Sequence, residues 1–187
     1  MTDIITIGTD LETTGLLSPD HRIIECYMGI WKGRKLVWEY NQRIDPKRSI
    51  AADAQRVHKI SSTDLIGKPT WEEVGKTVRD VLSRADLIVW HNGDEFDGPF
   101  LEQEFKRIGL DMPEKPSVDT MQQGVWATPD GKKPRLGELA FACGVDYDPA
   151  KAHAADYDVK IMMDCYFRGL DWGFFTPPAL QATALAA

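Results

Sequence analysis

Cysteine is scarce in this chain of 187 residues: Cys26, Cys143 and Cys165 make up the whole set, and no two form a CxxC pair. So odd and sparse a count argues against a disulfide framework, and the three read as reduced core thiols of a cytoplasmic protein. Long apolar runs are missing too. None approaches the ~20 residues that cross a bilayer, so no membrane partner is expected. The opening MTDIITIGTD has neither the basic start nor the apolar stretch of a secretory signal. Low-complexity tracts do not interrupt the middle, no segment repeats, and no linker rich in Gly, Ser or Pro splits the chain. Positive charge is short as well: 22 Lys and Arg against 29 Asp and Glu leave a net charge of −7. A general nucleic-acid coat protein would carry the opposite excess. An enzyme handling a few nucleotides through bound cations is not excluded, so local arrangement must decide.

What is present is one ordinary domain, 43% hydrophobic and 27% charged, long enough to bury a core without disulfide or metal staples. Ile4, Ile5 and Ile7 open a short β-prone run that stops at the polar cluster DLETTGL. The runs Ile23 to Trp31 and Leu36 to Tyr40 flank a Gly-containing connection and read as a β-hairpin. Thr70-Trp71-Glu72-Glu73 is a capping-box signature, and Val74, Val78, Val81, Leu82 and Ala85 keep helical spacing after it. Leu87 to Trp90 is a compact apolar strand of the kind buried on both faces. Phe100, Leu101, Phe105 and Ile108 share one side of a helix that Gly109 ends, and a short strand finishes near Val118 and Asp119. Leu136 to Cys143 reads as a short helix closed by Gly144; Ala155, Val159, Met162 and Tyr166 form the buried stripe of a last one. A hairpin first and alternating strands and helices afterwards predict an α/β domain with a mixed sheet over residues 1–170. Residues 171–187, with Pro177-Pro178 and a small-residue end, are expected to be a loosely held tail.

Three clusters carry candidate chemistry. In a strand, residues two apart share a face, so Asp10 and Glu12 present carboxylates side by side at the end of an apolar strand, where open α/β sheets place ligand sites. Adjacent carboxylates repel, and a divalent cation removes that conflict; oxygen-only ligands favour a hard ion such as Mg²⁺ or Mn²⁺. A solvated strand end is the blander reading of the same D-x-E. In Trp90-His91-Asn92-Gly93-Asp94-Glu95-Phe96-Asp97, Asp97 stands near a helix start, as ligand or as cap, and Phe96 is core or a stacking surface. In His153-Ala154-Ala155-Asp156-Tyr157-Asp158, the histidine precedes the acid by five residues, so it could lie near a ligand held by Asp158 and take a proton from water. Alone, His153 would pass for a surface residue.

These three segments, in this order, resemble the DEDDh branch of the DnaQ-like 3′–5′ exonucleases, which have the ribonuclease H-like fold. DLETTGL is similar to the first motif, HNGDEFDGPFL to the second and HAADYD to the third. Smaller matches lie at Ala54 to Ile60, read as part of the loop after the hairpin, at Val118-Asp119-Thr120, and at Leu136, Leu139 and Gly144, so the similarity runs from about residue 4 to 168. The resemblance implies a five-stranded mixed sheet, three antiparallel strands and then parallel ones, flanked by helices. It makes Asp10, Glu12, Asp97 and Asp158 the acids of a site for two divalent cations and His153 the general base. The sister branch has tyrosine four positions before the last aspartate; here Ala154 stands there. Thr13 and Thr14 would approach the terminal nucleotide, Leu16 would wedge near its base, and Val57, His58 and Phe96 would help line the pocket. Two departures stand out. Three residues rather than the usual two separate the His-Asn and Phe-Asp pairs, so either a bulge keeps Asp97 in place or Asp94 takes the metal face; the register of Phe96, Phe100 and Leu101 favours Asp97. The strand before Asp10 is also more polar, with Gly8 and Thr9, than the family norm.

The expected activity is metal-dependent hydrolysis of the 3′-terminal phosphodiester of single-stranded DNA, releasing 5′-mononucleotides, in proofreading or repair, with a DNA polymerase as possible partner. An RNA-trimming or oligoribonuclease-like enzyme is the alternative within the branch. A non-catalytic module that binds nucleic-acid ends, or a polymerase accessory, is the alternative outside it, although no metal carboxylate has been lost.

Overall fold

The computed structural model of the protein describes residues 4–178. Its centre is a five-stranded sheet of order β3-β2-β1-β4-β5. The strands are β1 (Ile5–Thr13), β2 (Ile23–Lys32), β3 (Lys35–Arg43), β4 (Leu87–Trp90) and β5 (Ser117–Asp119). β1, β2 and β3 form an antiparallel meander, while β4 and β5 run parallel to β1. This is the mixed sheet expected from the order of the runs, and the hairpin turns at Gly33, whose φ is +58°.

The helices are α1 (Ala52–His58), α2 (Trp71–Leu82), α3 (Asp97–Arg107), α4 (Thr120–Gln123), α5 (Leu136–Cys143) and α6 (Ala155–Asp171). In α2 the capping box forms as the sequence predicts, with the Thr70 N–H donating to Glu73 Oε2 at 2.7 Å. α2 and α3 cover one face of the sheet: Trp71, Val78, Leu82, Phe100 and Phe105 pack on Ile7, Met28 and Ile88. α5 and α6 cover the other, where Leu139, Val159, Met162 and Tyr166 meet Leu87, Val89 and Val118. Leu87 and Val89 face one way and Ile88 the other, which is why β4 reads as an unbroken apolar run.

Two expectations differ from the structure. The segment around Ala54 to His58 is a helix rather than a loop. Of α1 only His58 is buried, so no apolar stripe marks it in the sequence. The chain after Trp172 is not loose as far as it is described. Phe175 is buried beside Tyr166 and Trp126, with ring centroids 5.9 Å from each, and the Thr176 N–H donates to Gln123 Oε1 at 2.9 Å. An aromatic pair in a polar, Pro-containing stretch has no periodicity to betray this docking. Residues 179–187 lie outside the described residues.

The polar strand before Asp10 has a packing cause. A Cβ added at Gly8 would stand 2.8 Å from Val159 Cγ1 and 2.9 Å from Met163 Cγ, so α6 crosses β1 directly over this glycine. Thr9 spends its hydroxyl on the Tyr27 carbonyl, 2.9 Å away. Because α6 also carries Asp158, Gly8 sets how close that acid comes to β1. A Gly8→Ala variant is expected to lose about 1–3 kcal/mol of stability by overpacking, measured by urea unfolding.

Candidate active site

β1 outruns its parallel neighbour: the pairing with β4 covers Thr6 to Gly8, and Asp10 and Glu12 stand beyond it. The carboxyl ends of β1, β4 and β5 therefore open on one edge of the sheet, the position where open α/β sheets bind ligands. Asp10 and Glu12 point to the same face, as their spacing predicts. Across the β1–β2 ladder, Glu12 pairs directly with Glu25, a buried acid that accepts from Arg43 Nε at 3.0 Å.

The extra residue of the second motif is absorbed in the turn after β4. Asn92 adopts a left-handed conformation (φ +71°), and Asp119 gathers the turn by accepting from the Asn92 N–H at 3.0 Å and the Asp94 N–H at 3.1 Å. Asp94 is exposed and accepts from Trp90 Nε1 at 2.9 Å, in a separate recess with Gly98, Pro99 and Lys106. Asp97 is the acid that turns inward, 2% exposed at the first position of α3. The bulge, and not a slip of register, is what the chain adopts.

The third segment brings His153 and Asp158. His153 sits just ahead of α6 in a left-handed conformation (φ +64°), exposed, and its backbone N–H donates to Asp158 Oδ2 at 2.9 Å. Asp10, Glu12, Asp97, Asp158 and His153 all line one cavity of about 860 Å³.

The electrostatics of this cluster are those of acids crowded together out of water. Burial raises Asp10 well above the carboxylate range, and the charges of Asp97, Glu12, Asp158 and Glu25 raise it further. Glu12 is pushed up to about 9 by burial and by Glu25, Asp158 and Asp97. Asp97 is pushed up to about 7, chiefly by burial. Burial raises Asp158 as well, although the His153 backbone and charge draw it back. One oxygen each of Asp97 (Oδ1) and Asp158 (Oδ1) is buried with no hydrogen-bond partner. An orphaned carboxylate oxygen in a protein interior is costly unless a cation or water meets it. Among the described residues no three His, Cys, Asp or Glu side chains are drawn together as the donor set of one ion. The fit to a divalent cation is thus one of chemistry: oxygen donors only, mutually repelling, with two unpartnered oxygens.

The substrate-facing residues divide. Leu16 (80% exposed), Val57 and Phe96 line the cavity, as does the buried His58. Phe96 satisfies both its readings, since it also packs on Phe100 with ring centroids 4.9 Å apart. Thr13 lines the cavity, but its hydroxyl donates to the Gly15 carbonyl at 2.7 Å. Thr14 does not reach the cavity. It is fully buried, its hydroxyl accepting from the Arg22 N–H and standing 3.0 Å from His21 Nδ1, because it is needed to close the Leu16 loop.

Sequence reasoning missed three contributors. Glu25 lies inside an apolar strand with no partner acid nearby in sequence. Glu104, fully buried, accepts from Arg22 Nε at 2.7 Å and the Ile23 N–H at 3.1 Å, fixing the end of the Leu16 loop. His91 is held by Thr120: that hydroxyl donates to the Trp90 carbonyl, so His91 Nδ1 must donate to it, 2.9 Å away. The HN pair of the second motif was the available signal for His91.

A sheet of this order with helices on both faces and acids at the ends of its parallel strands defines a ribonuclease H-like fold of the exonuclease type. Residues 7–166 match the family model described as Exonuclease (RNase_T), and the chain belongs to that family. Among curated relatives it is 31% identical over 169 residues to the DNA polymerase III subunit epsilon of Pasteurella multocida, covering 86% of this chain and 66% of that protein. It is 28% identical to the PolC-type DNA polymerase III of Mycoplasmopsis pulmonis, covering 84% of this chain and 11% of that one. In fold it is similar to the E. coli ExoI–ssDNA complex, with a TM-score of 0.80 at 14% identity, covering 91% of this chain and 41% of that one. The DnaQ-like resemblance is thereby borne out for family and fold. No helix among the described residues is long and apolar enough to cross a membrane.

The raised carboxylates make a stability prediction. A carboxyl with a higher pKa folded than unfolded opposes folding once it must ionise, so the loss accumulates from the ordinary range upward and levels off above the folded value. In EDTA the melting temperature is expected to fall by several degrees, roughly 5 °C or more, between pH 5 and pH 9, the span set by Asp97 at about 7 and Glu12 at about 9. Millimolar Mn²⁺ should reverse the fall at pH 8, while Na⁺ at equal ionic strength should not; calorimetry at both pH values reads the difference.

Proposed function

We propose that the chain is a metal-dependent 3′–5′ exonuclease that hydrolyses the 3′-terminal phosphodiester of single-stranded DNA and releases 5′-mononucleotides. The observation that carries this reading is the gathering of four acids from three distant segments, Asp10 and Glu12, Asp97, and Asp158, around one nucleotide-sized cleft with His153 at its rim. The four would hold two divalent ions, Mg²⁺ or Mn²⁺, which supply Lewis acidity to a phosphodiester and to water. The protein's own part is to bind, orient and move a proton. Leu16, Val57, His58 and Phe96 give the terminal nucleoside an apolar slot, and Phe96 offers a face to its base. A ring nitrogen of His153 accepts the proton of the attacking water; its exposure keeps it able to pass that proton to solvent. The anchored His153 backbone, bonded to Asp158, keeps base and acid together.

Single-stranded ends suit the cleft because a terminal base must leave a duplex to enter it. The relatives named as polymerase III epsilon subunit and PolC-type polymerase support a proofreading association with a DNA polymerase. The domain assignment that goes with this reading is an exonuclease domain over residues 1–170 with a C-terminal segment after it.

On a 3′-labelled DNA 12-mer in Mn²⁺, His153→Ala is expected to release labelled mononucleotide at least about 100-fold more slowly than the parent chain, and Asp10→Ala to release none above background. Undiminished release by either variant overturns the assignment. A matched RNA 12-mer should be cut at least about ten-fold more slowly; the reverse order transfers the activity to RNA.

A further inference from the structure

A second cavity of about 440 Å³ adjoins the nucleotide cleft, and the two share Asp10, His91, His153 and Asp158 as their common wall. The remaining lining of this second cavity comes from outside the three motifs and includes Arg135, Leu136, Gly137 and Tyr147. Its size is that of a site for one small organic group, within the roughly 300–1,000 Å³ of ligand pockets. Tyr147 owes its place to Gly137: a Cβ there would lie 2.8 Å from Tyr147 Cε1, so only glycine lets the ring close against the start of α5.

The loop that brings Arg135 to this cavity is basic in an otherwise acidic protein. Lys132, Lys133 and Arg135 follow one another in the loop before α5. Lys133 is tied to Glu95 at 2.7 Å, and Lys132 to Glu138 at 3.1 Å. Glu95 belongs to the lengthened turn of the second motif, so that turn tethers this loop. Arg135, exposed like both lysines, differs from them in lining the cavity and in making no salt bridge among the described residues. Its backbone N–H donates to Glu138 Oε2 at 2.8 Å, which fixes its Cα without involving its side chain.

We infer that this second cavity receives the nucleotide on the 5′ side of the scissile bond, with Tyr147 as the face its base lies against and Arg135 as the contact to the next phosphate upstream. The inference rests on the exonuclease reading above, and its logic is positional. A phosphodiester placed at the shared acid wall has one nucleoside on each side of it. The apolar slot with Leu16 and Phe96 takes the terminal one, and the neighbouring cavity is the space left for the other. A guanidinium not engaged in a salt bridge is suited to a bidentate phosphate contact. Tyr147 offers a sequence-tolerant stacking surface of the kind single strands use. Arg135 and Tyr147 are positioning residues; neither meets the reacting atoms.

The test compares two dinucleotides in Mn²⁺: pTpT, which carries the upstream phosphate, and TpT, which lacks it. Arg135→Ala is expected to lower kcat/KM for pTpT about ten-fold and leave TpT unchanged, with Arg135→Lys recovering part of the loss. Tyr147→Ala is expected to raise KM for both substrates with little change in kcat, and Tyr147→Phe to behave as the parent chain. Equal losses on pTpT and TpT for Arg135→Ala, or no loss on either, overturn the upstream-phosphate assignment. An unchanged KM in Tyr147→Ala overturns the stacking assignment. A parent chain that releases nucleotide from neither dinucleotide nor from the 12-mer sinks the exonuclease reading itself, so the two failures are separable.

Discussion

Like charges held together out of water dominate this protein. Asp10, Glu12, Asp97 and Asp158 repel one another, and Glu25 adds a fifth carboxylate across the β1–β2 ladder. In the unligated chain that repulsion is relieved by protonation, which is what the raised pKa values of Glu12 and Asp97 express. The scaffold maintains the arrangement by over-determining it: β1 is clamped between two neighbours, α6 is pressed onto Gly8, and Asp119 pins the turn that delivers Asp97. Stability is invested in a configuration that is favourable only when something positive enters it.

The same principle organises the mouth of the cleft. Leu16 is 80% exposed, yet the loop that carries it is braced from below. Glu104 binds Arg22, while Arg107 donates to the carbonyls of His21, Ser18 and Pro19. Thr14, expected to reach substrate, is spent on this bracing instead. An exposed apolar side chain keeps its position only if the backbone beneath it is fixed, and α3 supplies that fixation from the helix that also begins with Asp97. The Leu16 loop and Asp97 are therefore both held by one helix.

Much of this was legible in the sequence because the physics involved is local. Capping at Thr70, the period-four stripe of α6 and the closure of α5 by Gly144 at φ +67° each depend on residues a few positions apart. The facing of Asp10 and Glu12 follows from the two-residue period of a strand. What escaped depends on partners far away in the chain. α1 shows no apolar stripe because it buries almost nothing. Glu25 and Glu104 owe their meaning to Glu12 and Arg22 across the fold, and Phe175 to Trp126 and Tyr166. The lengthened second motif is a question the sequence can bias but not settle: the register of Phe96, Phe100 and Leu101 favours Asp97, yet a slip of register would offer Asp94. The fold separates their roles: Asp97 is buried against the cleft, while Asp94 is exposed in another recess and accepts from the Trp90 indole.

If the chain acts on a polyanion as proposed, its net charge of −7 means that attraction must be provided locally. Divalent cations at the acid cluster would reverse the sign of the field at a scissile phosphate, but their influence fades beyond a Debye length of about 8–10 Å and would not reach phosphates further along the strand. Those need fixed positive charge of their own, and the loop from Lys132 to Arg135 lies beside the cavity through which the strand would continue. Its two lysines are held by Glu138 and Glu95, which shapes the loop and mutes their charge, leaving the Arg135 guanidinium as the open contact.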